Sequence, residues 1–210
     1  FIDNHVSDGA DYQHTMTILT TQYNKLGAEL GGWLKNKFEP QLYKSMADKG
    51  WDMVPYVSFE TAGPEKGMVM FYDSPRYSSG YTTLFQTIGF MPETHMLKPY
   101  KQRVLSTYSF SETMIEKASL NAKELIAERK KARQQVSAQK SFALKWNVDT
   151  SKYSYVTFKG YEQAYKPSDA TGLSRMYYDR TKPFTKQVRF FDTFKPNDII
   201  EAPKAYIIPQ

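Results

Sequence analysis

Glu93 is the residue of this sequence whose surroundings most favour chemistry. It follows the apolar segment 84–91 and a proline, and His95 stands two positions after it. An apolar run of this kind is typical of a buried strand, and open α/β sheets bind ligands beyond the carboxyl ends of their strands. Glu93 could therefore take part in catalysis. A structural role also fits the sequence, with Glu93 capping the next turn and His95 packed beside it.

His5 is a second candidate, because it lies where a strand-like start gives way to a polar loop. A neutral imidazole is the commonest protein ligand for zinc. The polar residues around it could orient its second nitrogen or contact a substrate. These residues are Asp3, Asn4, Ser7, Asp8 and Asp11. One histidine among carboxylates also fits a hydrogen-bonded structural role, so the metal-binding role needs further support.

The segments between these candidates predict helices packed on a sheet. Between about residues 20 and 48, apolar residues recur at spacings of three and four, which predicts an amphipathic helix with an interruption or kink at Pro40. Residues 56–60 and 68–72 are short strand candidates. The polar loop 73–81 follows them and is long enough to reach over a pocket.

A change of character after the next helix predicts a domain boundary. Ser109 and Glu112 have the spacing of a capping box, so we expect a helix from there to about residue 139. Residues 142–210 then alternate in short aromatic-rich runs, which is typical of strands. The sequence thus predicts an α/β unit over residues 1–139 and an incomplete, β-rich accessory domain over residues 142–210.

Three segments carry a resemblance to a known family. They are Phe-Ile-Asp-Asn-His at residues 1–5, Arg-Tyr-Ser-Ser-Gly at residues 76–80 and Phe-Met-Pro-Glu-Thr-His at residues 90–95. In this order they resemble the C-terminal half of the catalytic domain of carboxypeptidase A-like zinc metallocarboxypeptidases (peptidase family M14). The resemblance implies a mixed sheet with flanking helices, zinc as the cofactor and a peptide or protein as the substrate.

The same resemblance implies roles for single residues. His5 matches the last of the family's three zinc ligands, and Glu93 matches its general base and acid. Tyr77 is the best match for a tyrosine that closes over the bound peptide, with Tyr72 and Tyr81 as competitors. Arg76 is a further candidate for substrate binding, because a guanidinium pairs bidentately with a terminal carboxylate.

The family's other two zinc ligands belong to a His-x-x-Glu motif that this sequence lacks, since its histidines are His5, His14 and His95. A catalytic zinc site needs three protein ligands and one open position. We therefore expect a fragment of a longer polypeptide that is inactive alone. The alternative is a non-catalytic carboxypeptidase-like protein that binds peptides, glycans or a protein partner through its tyrosine-rich loops.

Composition narrows the classes of function. There are no cysteines, so disulfides and thiolate metal sites are excluded and His, Asp and Glu remain as strong ligands. The formal charge of +6 is spread along the chain without a recognition module, so we do not expect nucleic-acid binding. We expect no membrane span. Oligomeric state and compartment stay open, although the family resemblance is compatible with export.

Overall fold

The structure is a computed structural model that describes residues 1–56, 64–206 and 208, except for the side chain of Glu65. It shows a mixed sheet flanked by helices, which confirms the expected α/β class. The helices are α1 (Ala28–Trp33), α2 (Glu39–Asp48), α3 (Ser78–Thr83), α4 (Tyr100–Leu120) and α5 (Ala122–Ala138). The strands are β1 (His5–Ser7), β2 (Met16–Thr20), β3 (Val54–Pro55), β4 (Met68–Val69), β5 (Phe90–His95), β6 (Ser141–Val148), β7 (Ser154–Pro167), β8 (Ser174–Phe191) and β9 (Phe194–Glu201).

In the described part of the chain, the first sheet has the order β1-β5-β2-β3. β5 pairs in parallel with β1 and antiparallel with β2, and β2 pairs in parallel with β3. One face of this sheet contributes Ile18 and Phe90 to an apolar core with the helices. The other face contributes Val54 to a second core with Tyr12 and Phe158. The first sheet is therefore covered by helices on one face and by β7 and β8 on the other.

The first helical segment differs from its prediction in where it starts and in how it accommodates Pro40. β2 occupies the chain as far as Thr20, a 3₁₀ turn follows at Tyr23–Leu26, and α1 begins at Ala28. Between α1 and α2 the chain forms a π-helical stretch, Leu34–Phe38, and Pro40 lies in the first turn of α2. A π turn shifts the hydrogen-bond partner by one residue, so a proline can follow without breaking the helix. The expected interruption thus takes the form of a local widening.

β5 begins later than expected and contains Glu93 within the strand. Residues 84–86 form a turn, and the strand begins only at Phe90. Phe90 and Met96 direct their N–H groups to carbonyls of Phe1 and Ser7, so even-numbered residues of β5 face β1. Pro92 belongs to that series and has no N–H to donate. The β1 pairing is accordingly interrupted just before His5, which explains how a central strand tolerates this proline.

The predicted helix start at Ser109 is wrong. α4 begins at Tyr100, directly after Pro99, and Ser109 lies inside it. The fixed φ of proline suits the start of a helix, whereas Ser-x-x-Glu spacing also occurs within helices. The predicted end is close to the observed one, since α5 ends at Ala138.

The predicted short strands agree with the structure only in part. Of residues 56–60, only Tyr56 is described, and it follows β3. The candidate 68–72 is reduced to the two residues of β4. β4 pairs with β8, so the second sheet, with the order β4-β8-β7, joins the predicted unit 1–139 to the predicted accessory region. In the described part of the chain, a third sheet consists of β6 and β9. The division into two domains stays a prediction.

The contacts between these regions include buried charge. The Asp11 carboxylate, which is buried, lies 2.6 Å from Arg180 of β8 and 3.5 Å from Lys98. Removal of one cationic partner of a buried carboxylate strongly destabilises a protein.

No helix within the described residues is both long enough and hydrophobic enough to span a membrane.

Two adjacent glycines of α1 should respond in opposite ways to alanine. A Cβ at Gly31 would overlap the carbonyl of Tyr23, whereas at Gly32 its nearest neighbour would be the end of the Asn36 side chain, 4.0 Å away. We expect Gly31→Ala to destabilise the fold by about 2 kcal/mol or more through overpacking. Gly32→Ala should stabilise it by up to about 1 kcal/mol, because alanine is the better helix former. Urea unfolding of both variants measures the difference, and equal effects would contradict this packing.

Candidate active site

The structure brings His5 and Glu93 together. His5 on β1 is the register partner of Glu93 on β5, and parallel partners direct their side chains to the same face of the sheet. The His5 Nδ1 atom lies 3.9 Å from Glu93 Oε1. The His5 side chain is 44% exposed, whereas that of Glu93 is only 9% exposed. An accessible imidazole therefore lies above a mostly buried carboxylate.

Asp3 holds the other side of the imidazole. Its Oδ2 lies 3.1 Å from His5 Nε2. The Ser78 hydroxyl and the His5 imidazole lower the pKa of Asp3, so this carboxylate is ionised at neutral pH. An N–H at Nε2 that donates to Asp3 leaves the lone pair of Nδ1 free on the side of Glu93. Asp3 is thus the orienting residue among the polar neighbours that the sequence offered.

Burial makes the Glu93 carboxyl group an unusually weak acid. Loss of solvation raises the pKa of Glu93 to about 7; His5 opposes this shift, and the charges of Asp3 and Asp8 add to it. Among the described residues its Oε2 atom has no hydrogen-bond partner. A carboxyl group with a pKa near neutrality can both accept and return a proton at physiological pH. This is the property required of a general acid and base.

Two successive aromatic contacts lead from Tyr77 to Tyr56. The Tyr77 ring meets Phe71 edge-on at 4.9 Å, and Phe71 meets Tyr56 edge-on at 6.0 Å. Burial raises the pKa of Tyr56, and the charge of Glu93 raises it further, followed by Asp8 and Tyr77. Tyr56 therefore belongs to the surroundings of Glu93. Sequence analysis missed it, because it was assigned only to a strand candidate.

The two competing tyrosines have other contacts. Tyr72 stacks on Phe194 at 5.8 Å and lies beside Lys25. Tyr81 is exposed on α3 and contacts Phe85 at 5.4 Å. Tyr77, immediately before α3, instead contacts Phe71, which in turn contacts Tyr56.

Arg76 precedes Tyr77 and is exposed. Within the described residues it forms no ion pair or hydrogen bond, so its guanidinium is available to an anionic ligand. The structure places it in the loop before α3, next in sequence to Tyr77, and gives no contact between it and Glu93.

His14 and His95 are buried structural residues. His14 Nδ1 lies 3.2 Å from the Asp52 carbonyl, and its Nε2 accepts from the Lys159 N–H at 3.3 Å. The His95 ring meets Tyr12 edge-on at 4.8 Å, and its Nδ1 accepts from the Leu97 N–H. Burial lowers the pKa of both imidazoles. His14 thus contacts Asp52 and Lys159 of β7, and His95 contacts Tyr12 and Leu97. In the described part of the chain, neither of these histidines forms a hydrogen bond, ion pair or ring contact with His5.

The described residues do not form a metal site by themselves. They contain no group of three or more histidine, aspartate or glutamate side chains placed to hold an ion. A catalytic zinc centre needs three protein ligands. His5 as a zinc ligand therefore stays a prediction, and the described part of the chain does not place two further ligands beside it.

Family models, characterised proteins and solved structures give no match to this chain.

The raised pKa of Glu93 should appear in the pH dependence of stability. Folding favours the protonated form, so this contribution is complete below about pH 4.5, declines as pH rises and is lost above about pH 7. Glu93→Gln mimics the protonated side chain without titrating. Between pH 4.5 and pH 8 its stability relative to the wild type should increase by up to about 3 kcal/mol. Urea unfolding at both pH values measures this change.

The exposed Glu29→Gln provides the matched control and should show no such change. Glu39 also titrates in this range but is present in all of these proteins, so it cancels from the difference. A constant stability difference between the wild type and Glu93→Gln at both pH values would show that Glu93 ionises normally.

Proposed function

We propose that this chain forms part of the catalytic domain of a zinc-dependent metallocarboxypeptidase, which hydrolyses C-terminal peptide bonds. One observation carries the proposal: an imidazole whose Nε2 faces Asp3 and a buried carboxylate with a pKa near neutrality lie side by side on two adjacent parallel strands. The mixed sheet with flanking helices is compatible with a partial carboxypeptidase-like domain.

His5 would hold the metal through Nδ1. The carboxylate of Asp3 fixes the ring orientation and the tautomer, as carboxylates do for metal-binding histidines in general. The remaining ligands would come from a His-x-x-Glu motif elsewhere in the intact polypeptide. This chain alone would then lack peptidase activity.

Glu93 would move protons. A bound zinc ion lowers the pKa of its water to about 7. Glu93 would accept a proton from water at one carboxylate oxygen and later donate it to the nitrogen of the leaving amine. Its unpartnered Oε2 and its raised pKa suit this exchange, because the buried carboxylate is stabilised by few fixed partners.

Tyr77 and Arg76 would contact the peptide. Arg76 offers an exposed guanidinium for the terminal carboxylate of the substrate. Tyr77 lies at the end of the aromatic series that leads to Glu93 and would cover the bound residue. Arg76 and Tyr77 lie in a loop, where substrate-binding residues are common.

A non-catalytic binding protein is the second candidate. The observation in its favour is that the described residues lack a set of three metal ligands. In that case His5 and Glu93 would be a residual polar pair, and the exposed Arg76 and Tyr77 would recognise a peptide terminus without cleaving it.

The two candidates are separated by experiments on the intact protein, with any polypeptide that precedes Phe1. We expect one zinc ion per chain and release of C-terminal amino acids from peptides. Glu93→Gln should retain the zinc and reduce kcat by about 10²–10⁴-fold or more, since it removes the proton-transfer group. His5→Ala should lose the zinc. Metal analysis and assays of amino-acid release measure these effects.

The exposed Glu29→Gln serves as the control and should keep both zinc and activity. An intact protein that holds no zinc and releases no amino acid, but still binds peptides, would overturn the carboxypeptidase proposal in favour of the binding protein.

Asp3→Asn tests the orientation of His5. An amide can offer its oxygen to the same N–H but lacks the negative charge, so zinc affinity of the intact protein should fall about 10–100-fold. Competition with a chelator measures this affinity. Unchanged affinity would show that the Asp3–His5 contact does not support metal binding.

A further inference from the structure

A cavity of about 650 Å³ lies at the open edge of the first sheet. β3 forms that edge and has only two residues. α2 covers one face of the sheet there, and β7 and β8 cover the other. The cavity occupies the gap between them, and its volume is in the range of small-molecule sites in proteins.

Most of the cavity wall is apolar. Tyr43 contributes from α2, Met53 and Val54 from the edge of the first sheet, and Val156 and Phe190 from the second sheet. Such walls favour an apolar ligand body, because they remove its surface from water. The polar groups of the lining then determine which end group the ligand can carry.

The basic residues of the lining have acidic partners. Lys35 lies 2.9 Å from Asp192, and Lys159 lies 2.8 Å from Asp52. Lys44 pairs with Asp48 at 2.7 Å. These lysines are therefore neutralised by carboxylates of the protein, and none of them is a free anion-binding group.

Glu39 is different, because within the described residues no lysine, arginine or histidine forms an ion pair with it. It lines the cavity from the first turn of α2. Burial raises the pKa of Glu39 to about 7; the Thr20 hydroxyl opposes this shift, Asp192 adds to it and Lys35 opposes it. The nearby Glu39 carboxylate also adds to the effect of burial on the raised pKa of Tyr43.

We propose that this cavity binds a small organic cation with an apolar body and one protonated amine, and that Glu39 is the counterion of the amine. The apolar body fills the space between α2 and the second sheet, and the amine replaces the missing ion-pair partner of Glu39. The aromatic rings of Tyr43 and Phe190 in the lining are also attractive to a cation.

Ligands of other charge fit the lining less well. An anion would lie near the carboxylates of Glu39, Asp52 and Asp192. The lysines of the lining are already paired with carboxylates of the protein and would not balance the charge of the anion. A neutral apolar molecule would fill the space but leave the half-buried Glu39 carboxylate without a cationic partner, which disfavours its ionised form. The charge of the lining therefore selects the cation.

The cavity is separate from the His5–Glu93 pair but shares two wall residues with its surroundings. Tyr56 and Phe71 line the cavity. Phe71 contacts Tyr77, and the charge of Glu93 contributes to the raised pKa of Tyr56. Neither His5 nor Glu93 belongs to the lining. Binding in the cavity can therefore be measured on this chain without peptidase activity.

The experiment compares two probes of equal size, 4-phenylbutylamine and 4-phenylbutanol. Isothermal titration calorimetry at pH 8 should show the amine binding at least about tenfold more tightly than the alcohol, because only the amine gains a charge-assisted contact with Glu39. Equal affinities, or no binding of the amine, would overturn the proposal.

Two variants locate the binding. Glu39→Gln should remove the preference for the amine and leave the affinity of the alcohol unchanged, whereas the exposed Glu29→Gln should alter neither. Ala47→Phe, which places a ring in the cavity lining, should weaken binding of both probes. If Glu39→Gln kept the full preference for the amine, or Ala47→Phe bound both probes fully, the amine would bind outside this cavity and the proposal would be wrong.

The pH dependence gives an independent measurement. The amine stays protonated from pH 6 to pH 8, while Glu39, with a pKa of about 7, becomes ionised over that range. The groups that face it are Thr20 of β2, Lys35 of the π-helical stretch, Tyr43 of α2, and Asp192 after β8. Amine affinity should rise about tenfold with pH, and alcohol affinity should not rise. A parallel response of both probes would contradict the role of Glu39.

Discussion

The register between β1 and β5 is the constraint on which the candidate site depends. It sets His5 opposite Glu93, and a shift of one residue would turn one of the two side chains to the other face of the sheet. β5 is fixed on its other side by five register pairs with β2, so it provides a firm reference for the short β1. Backbone pairing, rather than direct contact between the two side chains, therefore holds them together.

The burial of Glu93 opposes stability and favours chemistry. A carboxylate inside a protein is normally paired or hydrogen-bonded, since loss of solvation is unfavourable. Glu93 has His5 at 3.9 Å, beyond hydrogen-bond distance, and the nearby Asp3 and Asp8 carry the same charge as its ionised form. The protein thus retains a group that is stabilised weakly in either protonation state. Such groups are concentrated at functional sites, because proton exchange requires that neither state be strongly preferred.

The sequence selected His5 and Glu93, which lie close together in the structure, but it misjudged the elements that carry them. Both were expected where a strand ends, whereas His5 is the first residue of β1 and Glu93 lies within β5. The start of β5 was misjudged because an apolar run does not distinguish turns from a strand. Pro92 was expected to end the strand, but the pairing with β1 is interrupted beside it, so its lack of an N–H is tolerated inside β5. Tyr56 gave no signal at all, because its proximity to Glu93 arises only from the order of strands in the sheet.

Glu39 shows the same limit more clearly. In sequence it is a polar position of an amphipathic helix, which would normally face solvent. The π-helical stretch before it and the short edge strand β3 instead leave it facing a cavity. Burial raises the pKa of Glu39 and of Glu93 to about the same value, yet their neighbours differ. Glu93 faces an imidazole that can hold a reacting partner, whereas Glu39 faces apolar walls and a lysine already paired with Asp192. The same electrostatic cause therefore suits one carboxyl group to proton transfer and the other to holding a cation.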